Sequence, residues 1–361
     1  MAGPGGAGPG GAGPGEAGPR GAGPRGAGPR GAGPRGAGRP AAVLVTGGAG
    51  FIGSHLVERL AGAGHRVRVL DDLSSGREDN LAAVRGDVTL TRGSVLDPGA
   101  LGAAMEGVGA VFHLAARPSV PESLSDPGGC LETNGRGTLN VLALAAKLGV
   151  GRLVYASSSA VYGDLPAPHA EDAGPRPNNP YAAVKLLGEH LAEYHRLSLG
   201  LPAVSLRFFN VYGPRQSAGG AGAGVVPIFA DRLARGLRPV VFGDGLQTRD
   251  FVHVRDAARA LALAADYAGA LAGGGAASLP AVFNVASGRS HTLLEVLEFL
   301  RAGRAPGGPR LEPVFEPARP GDPRISEAAV GLAAGRLGFA AEISLAEGLA
   351  ELAAPPGGAR A

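Results

Sequence analysis

The sequence predicts an α/β protein with a doubly wound parallel sheet, followed by a smaller mixed α/β domain. Short apolar runs alternate with helical patterns from residue 41 onward, and a glycine-rich turn follows the first of these runs. The regular alternation fades after about residue 213. Strand–helix alternation of this kind is typical of a parallel sheet with helices on both faces. The 361-residue chain is long enough for this sheet and a second domain.

The apolar runs predict buried strands, and the patterns between them predict helices. Strands are expected at Ala42–Thr46, Arg66–Asp71, Ala110–Ala115, Arg152–Ser157 and Ala203–Phe208. Helices are expected at Phe51–Ala61, Leu131–Leu148 and Tyr181–Leu199, and later near Val226–Arg235, Asp256–Tyr267 and Leu293–Arg301. We therefore predict one domain over residues 41–213 and a second over 214–354. The second is expected to close over the carboxyl ends of the strands, with the chain crossing between the two.

Residues 1–40 differ in composition from the rest, since they contain 17 of the 63 glycines and 8 of the 30 prolines. They repeat the phrase Ala-Gly-Pro-Arg-Gly and have no apolar side chain larger than alanine after Met1. Such a segment cannot bury enough surface to offset the entropy lost on ordering, so we expect a disordered tail.

The positive charge of the chain belongs to this tail. Its five arginines and one glutamate give a net charge of +4, whereas the whole chain carries +3, so residues 41–361 sum to −1. The folded part therefore gives no electrostatic reason to expect nucleic-acid binding.

Several other classes of protein are disfavoured. The single cysteine, Cys130, excludes internal disulfides and a cysteine-rich zinc site, and His190 and His195 lack metal-ligand spacing, so no metal is expected. No run of 18 apolar residues predicts a membrane span, and no apolar segment of a secretory signal is seen in the tail. We expect a soluble cytoplasmic protein.

The glycine-rich turn has the features of a dinucleotide-binding loop. Gly47, Gly50 and Gly53 stand three apart between the first predicted strand and helix, in the run TGGAGFIG. Glycines there permit a tight turn, a close approach to a pyrophosphate and close helix packing, while the helix N-terminus faces the anion. Asp71 ends the second strand, 21 residues after Gly50, where a carboxylate can hold both ribose hydroxyls. This acid favours NAD over NADP.

A second pattern indicates proton transfer. Ser157-Ser158-Ser159 ends a predicted strand, and Tyr181 and Lys185 stand four apart on a helix, so they share one face. An ammonium beside a phenol should lower the pKa of Tyr181 and let the phenolate act as a general base. A serine hydroxyl can bond the same substrate oxygen; we favour Ser158 and keep Ser159 as the alternative. With a nicotinamide as hydride acceptor, this is the chemistry of oxidising a secondary alcohol.

These motifs identify a family. From Ala42 to about Leu352 the sequence resembles the extended short-chain dehydrogenase/reductases, specifically their nucleotide-sugar epimerase branch. The resemblance is carried by TGGAGFIG (46–53), DDLSSG (71–76), FHLAA (112–116), SVPESLSDP (119–127), ASSSAVYG (156–163), PYAAVK (180–185), LRFFNVYGPRQ (206–216), GDGLQTRDFVHVRD (243–256) and RPGD (319–322). It implies a Rossmann-type domain with permanently bound NAD over residues 41–213, a sugar-nucleotide domain over 214–354 and a homodimer.

The resemblance also implies binding roles. Around the NAD pyrophosphate and adenosine it implies the glycines of the turn with Phe51, Ile52, Asp71, Asp72, Leu73, Ser74, Ser75, Gly76, Ser94 and Val95. On the nicotinamide side it implies Leu114, Ala115, Ala116, Asn134, Ser157 and Phe209, together with Tyr181 and Lys185. For the sugar nucleotide it implies Ser119, Asn210, Val225, Arg249, Arg319, Asp322 and Ser326, beside Ser158 and Tyr181. Arg249 and Arg319 would clamp the diphosphate.

The residues after Ser158 separate the chemistries of the family. Its 4,6-dehydratases carry an Asp-Glu pair there and its decarboxylases a Glu, whereas this chain has Ser159 and Ala160. The sequence therefore favours NAD-dependent 4-epimerisation of UDP-glucose and UDP-galactose or of their N-acetyl forms. The small Ser326, implied to lie beside the sugar's 2-position, favours acceptance of N-acetyl groups. The alternatives are an oxidoreductase that releases its product and, less favoured, a non-catalytic NAD-binding module.

Overall fold

The first strand of the fold lies in the interior of a parallel sheet, at the point where the order of the strands reverses. The computed structural model describes Gly3 and residues 42–220, 222–272, 278–304, 310–318 and 323–353. Apart from Gly3, the predicted tail therefore lies outside the described residues. Residues 40–361 form one compact unit. The predicted division of this unit at residues 213 and 214 stays a prediction.

The described strands and helices follow one another in the order expected for strand–helix alternation. The strands are β1 (Ala42–Thr46), β2 (Val67–Asp71), β3 (Val88–Arg92), β4 (Val108–His113), β5 (Arg152–Ser158), β6 (Ala203–Phe208), β7 (Asn210–Tyr212), β8 (Val240–Phe242), β9 (Thr248–His253), β10 (Val282–Val285), β11 (Ser290–Thr292), β12 (Val314–Glu316) and β13 (Ile325–Ser326). The α-helices are α1 (Phe51–Gly62), α2 (Pro98–Met105), α3 (Val120–Ser125), α4 (Pro127–Cys130), α5 (Gly137–Lys147), α6 (Pro180–Leu199), α7 (Val225–Ala234), α8 (Val254–Ala270), α9 (Leu293–Ala302), α10 (Gly331–Leu337) and α11 (Leu345–Ala353).

The main sheet has seven strands in the order β10-β6-β5-β4-β1-β2-β3, and all its neighbours pair in parallel. The strand order reverses between β1 and β4, because β2 and β3 extend one side and β4, β5 and β6 the other. Ligands of such sheets bind at this switch point, outside the carboxyl ends of the strands. The predicted Rossmann-type doubly wound fold is confirmed.

Helices cover both faces of the sheet. Apolar residues alternate along β1: Val43 and Val45 pack with α1 and α8, whereas Leu44 packs with α2, α5 and α6. Because successive strand residues point to opposite faces, a buried strand of this kind is apolar throughout. The two cores hold the carboxyl ends of the strands in a fixed relation to α6.

A smaller layer follows β6. Strands β7, β9, β11 and β13 form a four-stranded sheet, and β8 pairs with β12. Helices α7, α9 and α11 pack on a separate apolar cluster that includes Phe229, Phe251 and Leu297. Helix α8 and strand β10 also lie after residue 214, but they belong to the layers of the main sheet. The chain thus returns to the layers of the main sheet after residue 214.

Two predicted elements differ from the observed ones. The helix predicted over Leu131–Leu148 begins with a π-helical segment, Leu131–Arg136, before α5. The strand predicted over Ala110–Ala115 is shifted, since β4 ends at His113. Leu114 and Ala115 instead turn toward β1. The backbone N–H of Leu114 donates to the Thr46 carbonyl oxygen, and that of Ala115 donates to the Thr46 hydroxyl. None of the described helices is long and apolar enough to cross a membrane.

Candidate active site

The N-terminus of α6 fixes the position of Tyr181. The side chain of Asn179 caps this helix by accepting a hydrogen bond from the backbone of Ala182 at 2.9 Å, and Pro180 occupies the first turn. The backbone of Tyr181 donates to the hydroxyl of Ser123 on α3 at 3.2 Å. Asparagine caps and first-turn prolines are typical of helix starts. Tyr181 therefore lies, buried, at the carboxyl end of the parallel sheet.

Lys185 lies one turn further along the same face of α6. Its Nζ donates to the carbonyl oxygen of Ala156 on β5 at 2.7 Å and lies 5.9 Å from the centre of the Tyr181 ring. It also lies over the Tyr155 ring, at 5.1 Å from its centre. Burial lowers the pKa of Lys185 to about 8, while the charges of Cys130 and Glu189 act in the opposite direction. The predicted pairing of this lysine with Tyr181 is present.

The expected lowering of the Tyr181 pKa is absent. Burial raises the pKa of Tyr181 to about 12, and its hydrogen bond with Ser158 only partly opposes this. The prediction of a lowered pKa was wrong for the protein alone, because the loss of water around the buried phenol dominates. The Lys185 ammonium gives its hydrogen bond to Ala156 and not to the phenol.

The three serines that follow Ala156 have different environments. The Ser158 oxygen accepts from the backbone of Ala160 at 3.2 Å and so begins a short 3₁₀ turn, Ser159–Tyr162. Ser158 is also the serine whose side chain lowers the pKa of Tyr181. Ser159 is the first residue of the turn. The hydroxyl of Ser157 donates to Glu189 at 2.5 Å, so a contact of Ser157 with a cofactor would use its backbone.

The glycine turn forms a cradle that side chains would fill. A Cβ added at Gly47 would lie 2.7 Å from the backbone nitrogen of Ala115, and one at Gly53 would overlap the Gly47 carbonyl oxygen. Gly47 has a φ of 71°, which favours glycine. Glycine at these two positions therefore leaves the backbone of the turn free of side chains at the start of α1, where a pyrophosphate can approach it closely. The residues present fit a dinucleotide.

Asp71 completes this cradle on the adenosine side. One of its carboxylate oxygens accepts from the backbone of Ala49 and the other from Leu73, both at 2.9 Å. Its carboxylate lies against Gly76, where an added Cβ would come within 2.8 Å of an oxygen. Burial raises its pKa, and the two backbone bonds lower it. Asp72 accepts from Ser74, which orders the loop that runs through Ser75 to Gly76.

The remaining cofactor candidates are distributed around the same crevice. Asn134 is buried, accepts from the backbone of Arg117 at 2.7 Å and donates to its carbonyl oxygen at 3.0 Å, so it supports the loop after β4. Ser94 accepts from the backbone of Leu96, and Val95 is buried beneath it. Phe209 is buried at the end of β6 beside the Tyr162 ring. Phe51 and Ile52 begin α1.

The candidates for the sugar nucleotide lie together on three neighbouring strands. Ser326 on β13 is paired directly with Arg249 on β9, and β7, which begins at Asn210, also pairs with β9. The Asn210 side chain donates to the carbonyl oxygen of Asp250 at 3.0 Å. Arg249 donates to the carbonyl oxygen of Thr248 at 2.7 Å.

Ser119 and Val225 are two further candidates. Ser119 is the N-cap of α3, and a Cβ added at Gly222 would come within 2.9 Å of the Ser119 Cβ. Gly222 shortly precedes α7, which begins at Val225. Arg319 and Asp322 lie outside the described residues, so their predicted roles stay predictions.

A buried ion pair next to the site was not among the residues predicted from the sequence. Glu189, eight residues after Tyr181 on α6, binds Arg207 of β6 at 2.8 Å, and each side chain is only 4% exposed. Its signal lay in the motifs already quoted, since Arg207 belongs to LRFFN and Glu189 continues the four-residue spacing of Tyr181 and Lys185. In the part of the chain that the structure describes, no cluster of three or more His, Cys, Asp or Glu could hold a metal ion.

Comparison with known proteins places this geometry in a family. Residues 43–286 match the NAD dependent epimerase/dehydratase family. The chain belongs to that family. A UDP-glucose 4-epimerase of Mycolicibacterium smegmatis is 41% identical to it over 313 residues, which cover 85% of this chain and 96% of the relative.

Solved structures of such epimerases have the same fold. A UDP-N-acetylglucosamine 4-epimerase from Methanobrevibacter ruminantium, in complex with UDP-N-acetylmuramic acid, superposes with a TM-score of 0.80 at 33% identity, covering 87% of this chain and 97% of the other. A UDP-glucose 4-epimerase from Thermus thermophilus, in complex with NAD, superposes with a TM-score of 0.74 at 38% identity, covering 86% and 97%.

Proposed function

We propose that the chain is an NAD-dependent 4-epimerase of a nucleotide-activated hexose, acting on UDP-glucose and UDP-galactose or on their N-acetyl forms. The observation that carries this function is the trio of Ser158, Tyr181 and Lys185 at the carboxyl ends of β5 and the sheet, beside a glycine cradle that fits a dinucleotide. The relatives described above are epimerases of this class, and their matches with this chain cover nearly the whole length of each relative.

When bound in the glycine cradle, NAD would supply a reversible hydride acceptor and a positive charge that favours the Tyr181 phenolate. Tyr181 removes the proton of the sugar 4-hydroxyl and later returns it. Lys185, held by Ala156, contributes its charge without a direct bond to the phenol. Ser158 holds the substrate oxygen in line with Tyr181. Epimerisation would need no further acid or base. It would need room for the 4-keto sugar to rotate in the site, so that its opposite face is presented.

The surroundings of the trio favour epimerisation over loss of water or carbon dioxide. Dehydration needs a second acid–base pair, and Ser158 is followed by Ser159 and Ala160. The nearby carboxylate of Glu189 is bound by Arg207 through three contacts of 2.8–3.2 Å and accepts from Ser157. A carboxylate engaged in this way is not free to exchange protons with a substrate.

Recognition of the sugar nucleotide is assigned to the strands β7, β9 and β13. Arg249 would bind the diphosphate, because guanidinium groups form paired hydrogen bonds with phosphates. Asn210 would contact the same group, and Arg319 and Asp322 would complete the clamp. Ser326, directly opposite Arg249, would leave room for an N-acetyl group at the sugar's 2-position. We therefore propose that UDP-N-acetylglucosamine is accepted alongside or in preference to UDP-glucose.

A homodimer and a cytoplasmic location also belong to this proposal. Leu131 and Leu139, eight residues apart on consecutive helical segments, are 52% and 42% exposed, and Leu187 and Tyr194 on α6 are 39% and 54% exposed. Leu131 and Leu187 meet at Gly135, where an added Cβ would touch both. Apolar side chains gathered on two adjacent helices support burial against a second copy.

The purified protein tests the proposed function. It should interconvert UDP-glucose and UDP-galactose, or their N-acetyl forms, without added NAD, because the nucleotide stays bound through the cycle. A panel that also includes dTDP- and GDP-sugars identifies the substrate. Dependence on added NAD with accumulation of NADH would instead indicate the alternative oxidoreductase. NAD binding without turnover of any sugar nucleotide would indicate the non-catalytic module.

A further inference from the structure

Three consecutive residues at the end of β5 interact with residues of α6. The carbonyl oxygen of Ala156 accepts a hydrogen bond from Lys185, the hydroxyl of Ser157 donates one to Glu189, and the side chain of Ser158 lowers the pKa of Tyr181. The three residues of α6 stand four residues apart, so they share one face of the helix. The hydrogen bond between Ser157 and Glu189 involves neither Tyr181 nor Lys185.

Glu189, the hydrogen-bond partner of Ser157, is itself held by Arg207. Arg207 of β6 binds the Glu189 carboxylate with Nε at 2.9 Å and Nη2 at 2.8 Å, a two-point arrangement that fixes the carboxylate plane. All three side chains are buried, and Ser157 and Arg207 face each other in the β5–β6 pairing. Burying two charges costs desolvation energy, so such pairs stabilise a fold weakly but can specify one arrangement.

The same arginine also holds the segment that follows Ser158. Its Nη1 donates to the phenol oxygen of Tyr162 at 3.0 Å and to the carbonyl oxygen of Glu171 at 3.1 Å. The Tyr162 hydroxyl in turn donates to Asn284 on β10 at 2.7 Å. The segment around Ser158 is therefore tied to Arg207 on both sides, through Ser157 and Glu189 before it and directly through Tyr162 after it.

We propose that Ser157, Glu189 and Arg207 form a positioning unit that sets the register of β5 against α6 and so holds Ser158 and Lys185 in place around Tyr181. This inference rests on the proposed epimerase function. None of the three residues needs to touch the substrate. Their contribution should therefore appear in the rate of the chemical step and leave substrate binding largely unchanged.

Ser157→Ala tests the proposal, because it removes the link and leaves the Glu189–Arg207 pair intact. Steady-state kcat and KM for the sugar nucleotide, bound NAD per chain and Tm are measured. We expect kcat to fall by about 10- to 100-fold, the effect of a small misplacement of reacting groups. KM should stay within threefold, and bound NAD should be unchanged. Ser157→Thr, which keeps the hydroxyl, should recover most of the loss.

Ser205→Ala is the matched control, since Ser205 is an equally buried serine on β6, paired with Tyr155. It should leave kcat unchanged. Tyr162→Phe provides a second variant with an intact ring, and it should lower kcat in the same way. The proposal is overturned if Ser157→Ala keeps kcat within twofold of the wild type, if Ser205→Ala loses as much, or if bound NAD falls in step with kcat. A wild-type protein without epimerase activity would overturn the proposed function instead.

Discussion

The Lys185 ammonium lies 5.9 Å from the centre of the Tyr181 ring but gives its hydrogen bond to the backbone of Ala156. The lysine therefore acts on the phenol through its charge and not through a direct bond. Because burial raises the pKa of Tyr181 to about 12, the tyrosine is protonated in the protein alone. A positive charge beside the phenol, as bound NAD would supply, would favour the phenolate that acts as the base.

Replacing Tyr181 with phenylalanine should abolish turnover while leaving the cofactor in place, because the ring still fills its site and only the proton carrier is lost. We expect a loss of about 10²–10⁴-fold in kcat, the usual contribution of a general base. Epimerisation rates and the NAD released on denaturation measure the two effects. Tyr194→Phe, on the exposed side of the same helix, is the control. Residual activity above about a tenth of the wild type would contradict this role.

Gly53→Ala should impair NAD binding. A Cβ at this position overlaps the carbonyl oxygen of Gly47, so α1 must move away from the turn that receives the pyrophosphate. Gly62 lies on the same helix with no atom near an added Cβ, which makes Gly62→Ala the matched control. We expect Gly53→Ala to lose bound NAD and lower Tm, and Gly62→Ala to keep NAD with equal or slightly higher stability. Equal NAD content in the two variants would contradict the proposed cradle.

His113 should make the stability of the fold sensitive to acid. Burial lowers its pKa from 6.5 to about 3, and the Lys185 charge adds to this effect. The Thr138 hydroxyl donates to the carbonyl oxygen of Asn134, so its oxygen accepts from the His113 Nε2–H, and Nδ1 then accepts from Thr46. This bonding assigns the neutral tautomer, which protonation at Nδ1 would disrupt.

The sign of the effect follows from where the proton binds. Between pH 6.5 and 3 the unfolded chain binds a proton at His113 and the folded protein does not. Stability present above pH 6.5 is therefore lost as the pH falls. This residue should account for about 2–3 kcal/mol of the free energy of unfolding lost between pH 6.5 and about pH 4.5. Urea unfolding of wild type and His113→Gln measures it, and parallel pH profiles for the two proteins would contradict the assignment.

The sequence predicted the fold and the reactive pair because both depend on local spacing. The glycine turn, each apolar strand and the four-residue interval between Tyr181 and Lys185 can each be read from a short stretch of sequence. The link from Ser157 to Glu189 and Arg207 depends on which strands are neighbours and on how α6 lies across them. The pKa of Tyr181 was predicted with the wrong sign because its burial, which dominates, arises from several distant segments.

Ser326→Tyr tests the proposed acceptance of N-acetyl sugars. Ser326 is buried opposite Arg249, so a phenol ring there would occupy space beside the bound sugar. We expect turnover of UDP-N-acetylglucosamine to fall at least tenfold, since a steric clash in a closed pocket exceeds about 1.4 kcal/mol. Turnover of UDP-glucose should be spared. Equal losses for both substrates would show that Ser326 does not select the sugar.

The direct test of the central claim is the fate of the hydrogen at C4 of the sugar. UDP-glucose labelled with deuterium at C4, or its N-acetyl form, is converted by the purified protein, and the product is analysed by mass spectrometry and NMR. If the bond to this hydrogen is broken and remade within one closed site, the product retains the deuterium at C4 with inverted configuration. Loss of deuterium to water, or its appearance in free NADH, would contradict the account.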